Sequence, residues 1–302
     1  MNATVNKYLV GGIVLKTAIE FPEFIPTDLP HDTVVEYGKV PEELEGSNQF
    51  RALVSVNHKD QLLFIMPNVA RFLVDGTQKV TIELEDESKK NDAEKFMLSF
   101  ILGMLSYKIG FFPLHGGGVV HNGEAYLFTG KSGAGKSTVI AALQQKGFEV
   151  IGDDIANLFV KNGQVFMHPC FPRLLLWEDT LDLLKYKNQG EYILKSGMNK
   201  YLIPIENSFQ NQPIPVKRIY HLRDDKEKST FLKAIKGYQK MNSLKANSFK
   251  PWAVQAFGLQ KSHYNLMNEM ITSIEWVEFN RPKDKKQFPD MLTTLINDIK
   301  NE

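Results

Sequence analysis

The sequence predicts an α/β chain, with a mixed sheet flanked by helices behind a smaller β-rich N-terminal domain. Three observations predict it. A strand, a glycine-rich loop, a helix and a second strand follow one another between residues 118 and 154. Residues 1–88 read as short strands and turns. Residues 89–112 read as one connecting helix with an apolar stripe, which leaves 113–302 as the larger domain.

Taken in order, residues 8–15 form a short apolar run with no basic leader and no clear cleavage site, so they read as a strand rather than a secretory signal. Prolines break 21–30 into turns. Residues 61–66 and 70–74 are strand-like, and Asp75-Gly76 is a hairpin signal. The return strand, 80–84, alternates apolar and polar residues, which implies one solvated face. No catalytic cluster lies here, and a docking or assembly surface fits this region as well as a scaffold extension does. Next, Asn91 with Glu94 resembles a capping box. Phe96, Met97, Phe100, Ile101, Met104 and Leu105 recur at helical spacing, as a core-facing stripe does, and Gly110 ends the helix.

Residues 118–121 and 124–129 read as antiparallel strands, because Asn122-Gly123 favours a two-residue hairpin turn. The second strand runs into Gly130, Lys131, Ser132, Gly133, Ala134, Gly135, Lys136 and Ser137, which fit G-x-x-x-x-G-K-[ST]. Such a loop curls backbone N–H groups round an anion and needs glycines for its unusual dihedrals. The helix that follows, from Thr138 to Lys146 with Gly147 as its stop, adds the positive end of its dipole. Residues 130–138 are therefore candidate ATP phosphate ligands. Lys136 would reach the β- and γ-phosphates, and Ser137 would hold Mg²⁺. Residues 148–151 form the next strand, and Asp153-Asp154 stands at its carboxyl end, where α/β sheets bind ligands. Two adjacent carboxylates there can divide labour, Asp153 as general base and Asp154 on the metal, or the reverse. His115, just upstream, reads on spacing alone as a structural hydrogen-bonder.

Beyond the aspartates, 155–166 reads as strands round Asn162-Gly163. Arg173 sits in an apolar run, and a buried guanidinium needs an anionic partner, either a phosphate or a structural carboxylate. Trp177 reads as core, and a helix begins near Leu181. Residues 195–200, with Gly197, read as a polar loop that offers Lys200 to the phosphates. Strands at 219–222 and 273–279 and an amphipathic helix at 288–299 complete the chain.

His115-Gly, the hairpin, the G-x-S-G-x-G-K-S-T loop, the short helix and Asp153-Asp154 together resemble the HPr kinase/phosphorylase family. That family shares its nucleotide core with ATP-dependent phosphoenolpyruvate carboxykinases. The match is close over 113–156 and loose to about 220, and residues 1–110 do not match the family's usual N-terminal domain. The run from His168 to Trp177 looks like shorter HPr-kinase-like serine kinases, some of which sit in peptide-natural-product pathways. The glycine-containing signature that follows the aspartate pair in true HPr kinases is not evident, which argues against HPr as the acceptor. The resemblance implies a Mg·ATP-dependent kinase whose acceptor is a serine hydroxyl, free or in a peptide or protein. It also implies that His115 hydrogen-bonds Asp153 and tunes its protonation. Alternatives are an ATP-binding regulator without transfer and a phosphoenolpyruvate carboxykinase-like enzyme.

Composition narrows the classes further. Thirty-six basic residues against thirty-five acidic ones leave no global field for nucleic acid or an anionic membrane. The mixed runs at 224–228 and 283–286 read as solvated faces. No apolar run approaches the roughly 18 residues of a membrane span. Cys170, the single cysteine, allows no intrachain disulfide and reads as a small filler residue. A cytoplasmic location is expected, and a homo-oligomer is compatible with the sequence.

Overall fold

The computed structural model describes residues 5–21, 24–186, 191–195, 198–205, 212–224, 230–281 and 285–301. Gly197, 225–228 and 283–284, singled out above, lie outside these residues. The chain is mixed α/β and divides into two compact units, residues 1–111 with 250–264, and residues 112–249 with 265–302.

The first unit is built on a nine-stranded mixed sheet. The apolar run at 8–15 is two strands rather than one, Asn6–Val10 and Ile13–Thr17. They reverse at Gly11-Gly12, whose φ values of 57° and 81° only glycine adopts cheaply. Asp75-Gly76 does turn the chain, between Ala70–Asp75 and Lys79–Leu84. The following helix starts earlier than Asn91 suggests. Asp86 caps a short 3₁₀ turn by accepting from the Ser88 N–H, and Asn91 lies within the Lys90–Phe96 helix that continues from it. The stripe is core: Met97, Ile101, Met104 and Leu105 are fully buried, and Phe100 stacks on Phe64 at 4.3 Å. Gly110, at φ 100°, ends the helix.

The second unit carries the loop. Its eight-stranded sheet is organised on Phe112–His121, a longer strand than 118–121 alone predicts. The first half pairs with Ile155–Lys161 and the second with Glu124–Thr129. Three glycines let one strand serve both partners. A Cβ on Gly117 would lie 2.2 Å from the Gly152 carbonyl oxygen, and one on Gly116 2.3 Å from that of Phe128. Glu124–Thr129 pairs in parallel with Ile214–Asp224, which pairs in parallel with Glu275–Arg281. Three carboxyl ends therefore gather at one edge, beside the loop.

Helices cover both faces. On one, Phe128, Tyr220 and Phe279 pack with Ile140 and Leu143 of Lys136–Gln145 and with Met291 and Leu295 of Phe288–Lys300. On the other, Leu127, Ile219 and Trp276 pack with Met241 and Leu244 of Tyr238–Asn247 and with Met267 and Met270. Both faces are apolar because these strands are sandwiched, so their sequence runs continuously hydrophobic rather than alternating.

Lys200 is not in a loop. It lies on Met198–Pro204, opposite Trp177, in a three-stranded sheet with Arg173–Trp177 and Glu191–Lys195. Tyr201 and Ile203 bury themselves with Leu174 and Leu176, and this apolar packing holds the strand that carries Lys200 in its ladder.

Candidate active site

Residues 130–137 bridge the Glu124–Thr129 strand and the Lys136–Gln145 helix. Gly130 is pressed against its neighbour strand, where a Cβ would meet the Leu222 carbonyl oxygen at 2.6 Å. Gly133 and Gly135 have φ values of 81° and 88°. Within the loop the Ala134 N–H donates to the Lys131 carbonyl at 3.0 Å. Among the described residues, the N–H groups of Ser132, Gly133 and Gly135 donate to no backbone carbonyl. Donors left outside the ladder at a helix N-terminus form a cradle suited to an anion.

Lys136 is buried, and its Nζ donates to the carbonyls of Gly130 at 2.9 Å and Lys131 at 3.2 Å. Burial holds its pKa below the usual lysine range, while Asp153 and Asp154 pull the other way. Thr138 turns its hydroxyl to Thr180 at 2.9 Å and so ties the loop's helix to Glu178–Leu184.

The two aspartates occupy different environments. Asp153 is 3% exposed, and three donors surround it. Ser137 Oγ and the Asp154 N–H each donate to Oδ1 at 3.0 Å, and the Leu175 N–H donates to Oδ2 at 3.2 Å. Burial raises its pKa first and the Asp154 charge second, and the donors only partly offset this. Asp154 is partly exposed and has φ 74°, uncommon for a residue other than glycine and best tolerated by Asp or Asn. That twist turns its carbonyl toward His115 Nδ1 at 3.1 Å and leaves its carboxylate 3.7 Å from the same nitrogen. His115 therefore contacts Asp154 and not Asp153, the partner that the family resemblance implied. The bulged junction at Gly152, with its carbonyl against Gly117, sends the two carboxylates different ways. Burial first and Lys136 second lower the His115 pKa, so the ring is neutral near pH 7. A carbonyl at Nδ1 puts the proton there and leaves the Nε2 lone pair free to accept.

Burial makes Asp153 a pH-dependent liability. Its folded-state pKa lies above the ordinary 3.8, so the native state holds this proton more tightly than the unfolded chain does. The resulting stability is complete below 3.8 and is lost as the pH rises through the folded value. In metal-free buffer, urea midpoints of the parent and of Asp153→Asn, compared upward from the ordinary carboxyl value of 3.8, should drift in the variant's favour as pH rises. A constant difference would contradict the burial of a carboxylate at this position.

Arg173 opens the strand that delivers the Leu175 N–H, and its guanidinium lies 4.8 Å from the Phe171 ring. Lys200 lies 5.2 Å from the Trp177 ring, and its charge bears on His115, Lys136 and Asp153. Three contributors escape sequence reading. The Leu175 N–H is backbone and carries no residue signature. Thr180 looks like any helix threonine. Arg281 donates to the Gly133 carbonyl at 3.1 Å from 148 residues away, and only the parallel register of its strand brings it there.

No protein-family model matches the chain, and no curated protein matches it. Among solved structures, the chain is similar to the HPr(Ser) kinase/phosphatase from Coxiella burnetii, at 14% identity over 62% of this chain and 97% of that one. The TM-score is 0.34, a likeness too slight to decide fold or activity. No helix among the described residues is long and apolar enough to cross a membrane.

Proposed function

We propose that the chain is a Mg·ATP-dependent kinase that transfers the γ-phosphoryl group to the hydroxyl of serine, free or in a peptide or protein. The observation that carries this reading is the convergence of Ser137 and the buried Asp153, 3.0 Å apart, beside the Lys136 ammonium. A loop serine and a strand-end aspartate that meet in this way suit one Mg²⁺ ion, as in P-loop nucleotide enzymes generally. The raised pKa of Asp153 fits as well, since a dication would restore the carboxylate that burial disfavours. When bound, Mg²⁺ would supply charge neutralisation on the transferred phosphoryl group.

The remaining roles follow from position. The amides of 131–137 would hold the phosphates, and Lys136 would balance their charge. Asp154, partly exposed and next to His115, is better placed than Asp153 to take the acceptor's proton, which reverses the order read from the sequence. The acceptor oxygen forms the new P–O bond, and the bond to the β-phosphate oxygen breaks. That electron pair leaves on ADP, and the proton goes to the Asp154 carboxylate. A regulator that only binds nucleotide would have no use for this second carboxylate and its histidine.

The direct test is ADP release from the full chain with Mg·ATP, with and without L-serine or a serine-ending peptide. Acceptor-dependent release, with one added phosphate on the acceptor by mass spectrometry, is the expected result. Nucleotide binding without any transfer would favour the regulator, and phosphoenolpyruvate formed from oxaloacetate would favour the carboxykinase.

A further inference from the structure

An anion cradle needs its N–H groups turned in, and it equally needs its carbonyls turned out, because a carbonyl oxygen that faces a phosphate repels it. Lys136 accounts for two carbonyls of the loop, since its Nζ donates to those of Gly130 and Lys131. A third, that of Gly133, accepts from Arg281 Nη2 at 3.1 Å. The peptide that joins Gly133 to Ala134 is thereby fixed at both ends, because its N–H donates to the Lys131 carbonyl at 3.0 Å. Arg281 also lies against the next residue but one, where a Cβ on Gly135 would come within 3.4 Å of the guanidinium carbon. The Arg281 Nε is buried and has no hydrogen-bond partner among the described residues. A buried donor left unpaired is destabilising, so stability alone does not account for a guanidinium at this place. Its position in the sheet matters as well. On one side of the loop's strand come Phe112–His121 and then Glu149–Gly152, which ends at Asp153. On the other side come Ile214–Asp224 and then Glu275–Arg281. Arg281 and the aspartates thus flank that strand from opposite sides, each on a strand end about 10 Å away, or two strand spacings.

We infer that Arg281 is a positioning residue for the phosphoryl donor, which holds the Gly133 carbonyl out of the cradle and so keeps the loop in its anion-binding shape before nucleotide arrives. The inference rests on the kinase reading and deepens it. Glycine at 133, with φ at 81°, lets the Gly133–Ala134 peptide rotate at little cost, and a rotated carbonyl would face the bound phosphates. Lys136 cannot guard the loop throughout, since its ammonium must turn from the carbonyls it holds to the phosphates it neutralises. The guanidinium keeps its charge at any working pH and has no such second duty. It acts on the triphosphate through the loop and does not touch the nucleoside. Its effect falls on donor binding and not on transfer, because Asp154 and His115 stand on the far side of the loop's strand.

Calorimetry on the full chain tests this, with Mg·ATP and Mg·tripolyphosphate as the two ligands. Arg281→Ala should weaken both by the same factor, about tenfold, the loss expected for one hydrogen bond from a charged donor. Arg281→Lys keeps a charged donor and should recover most of that loss, which a merely structural role for the side chain does not predict. Arg281→Met, with its apolar stem retained, replaces alanine if the alanine variant melts early. Hydrogen exchange on the nucleotide-free chain reads the hold itself: the Ala134 N–H, on the peptide that Arg281 fixes, should exchange several-fold faster in Arg281→Ala. Unchanged affinity for both ligands would overturn the proposal. A loss confined to Mg·ATP would overturn it too, because it would place Arg281 on the nucleoside. A parent chain that binds neither ligand would instead overturn the kinase reading itself, and the proposal with it.

Discussion

Replacing Lys136 with alanine should lower nucleotide-dependent turnover by at least 10²–10³-fold, on the order of the loss when a preorganised charge-stabilising donor is removed. The ammonium is held in place before any ligand arrives, by the carbonyls of Gly130 and Lys131 at 2.9 Å and 3.2 Å. Its burial makes it costly to keep charged, and so a strong source of field within the loop. Alanine should also weaken Mg·ATP binding measured by calorimetry. The fold should survive with a melting temperature near the parent's, because the loss of two carbonyl hydrogen bonds is offset by relief of the desolvated charge. Unchanged affinity and turnover would remove the loop from the site.

Replacing Asp154 with asparagine should lower turnover by about 10²–10⁴, the usual loss for a general base, with Mg·ATP affinity nearly unchanged. Asparagine is the informative substitute. It tolerates the left-handed φ of 74° at this position, so the turn that sets His115 against the residue is kept and only proton acceptance is lost. His115→Gln should cost less, because the histidine works on the carboxylate rather than on the acceptor. Asp153→Asn should behave differently and move the Mg²⁺ concentration needed for half-maximal rate upward. If Asp153→Asn instead lowered the rate at an unshifted Mg²⁺ dependence, and Asp154→Asn moved that dependence, the two aspartates would exchange roles.

Much of the site's local scaffolding was legible because it is contiguous. Asn122-Gly123 turns a hairpin, Gly130 to Ser137 turn a loop into a helix, and Gly147 ends that helix, all by local dihedral preferences that act wherever the residues stand. The apolar stripe from Phe96 to Leu105 was legible for a similar reason, since helical spacing alone gathers those side chains on one face. Where local signals competed, the reading slipped. Gly11-Gly12 hid a reversal inside an apolar run, and Asp86, not Asn91, began the helix.

The sequence by itself determined the order of strand, loop, helix and strand, and which residues stand at the loop and at the strand end beyond it. Which of those residues meet was decided by the tertiary structure alone. Ser137 meets Asp153, His115 meets Asp154, and Arg281 reaches Gly133 because strands far apart in the chain pair in one register. A strand's register is set by the packing of both sheet faces, and a shift of one residue would turn every side chain to the opposite face. Neighbouring carboxylates that look equivalent in the sequence were separated in the same way. A glycine junction held against Gly117 sends one into the core and leaves the other facing a histidine, and only burial can then tell them apart.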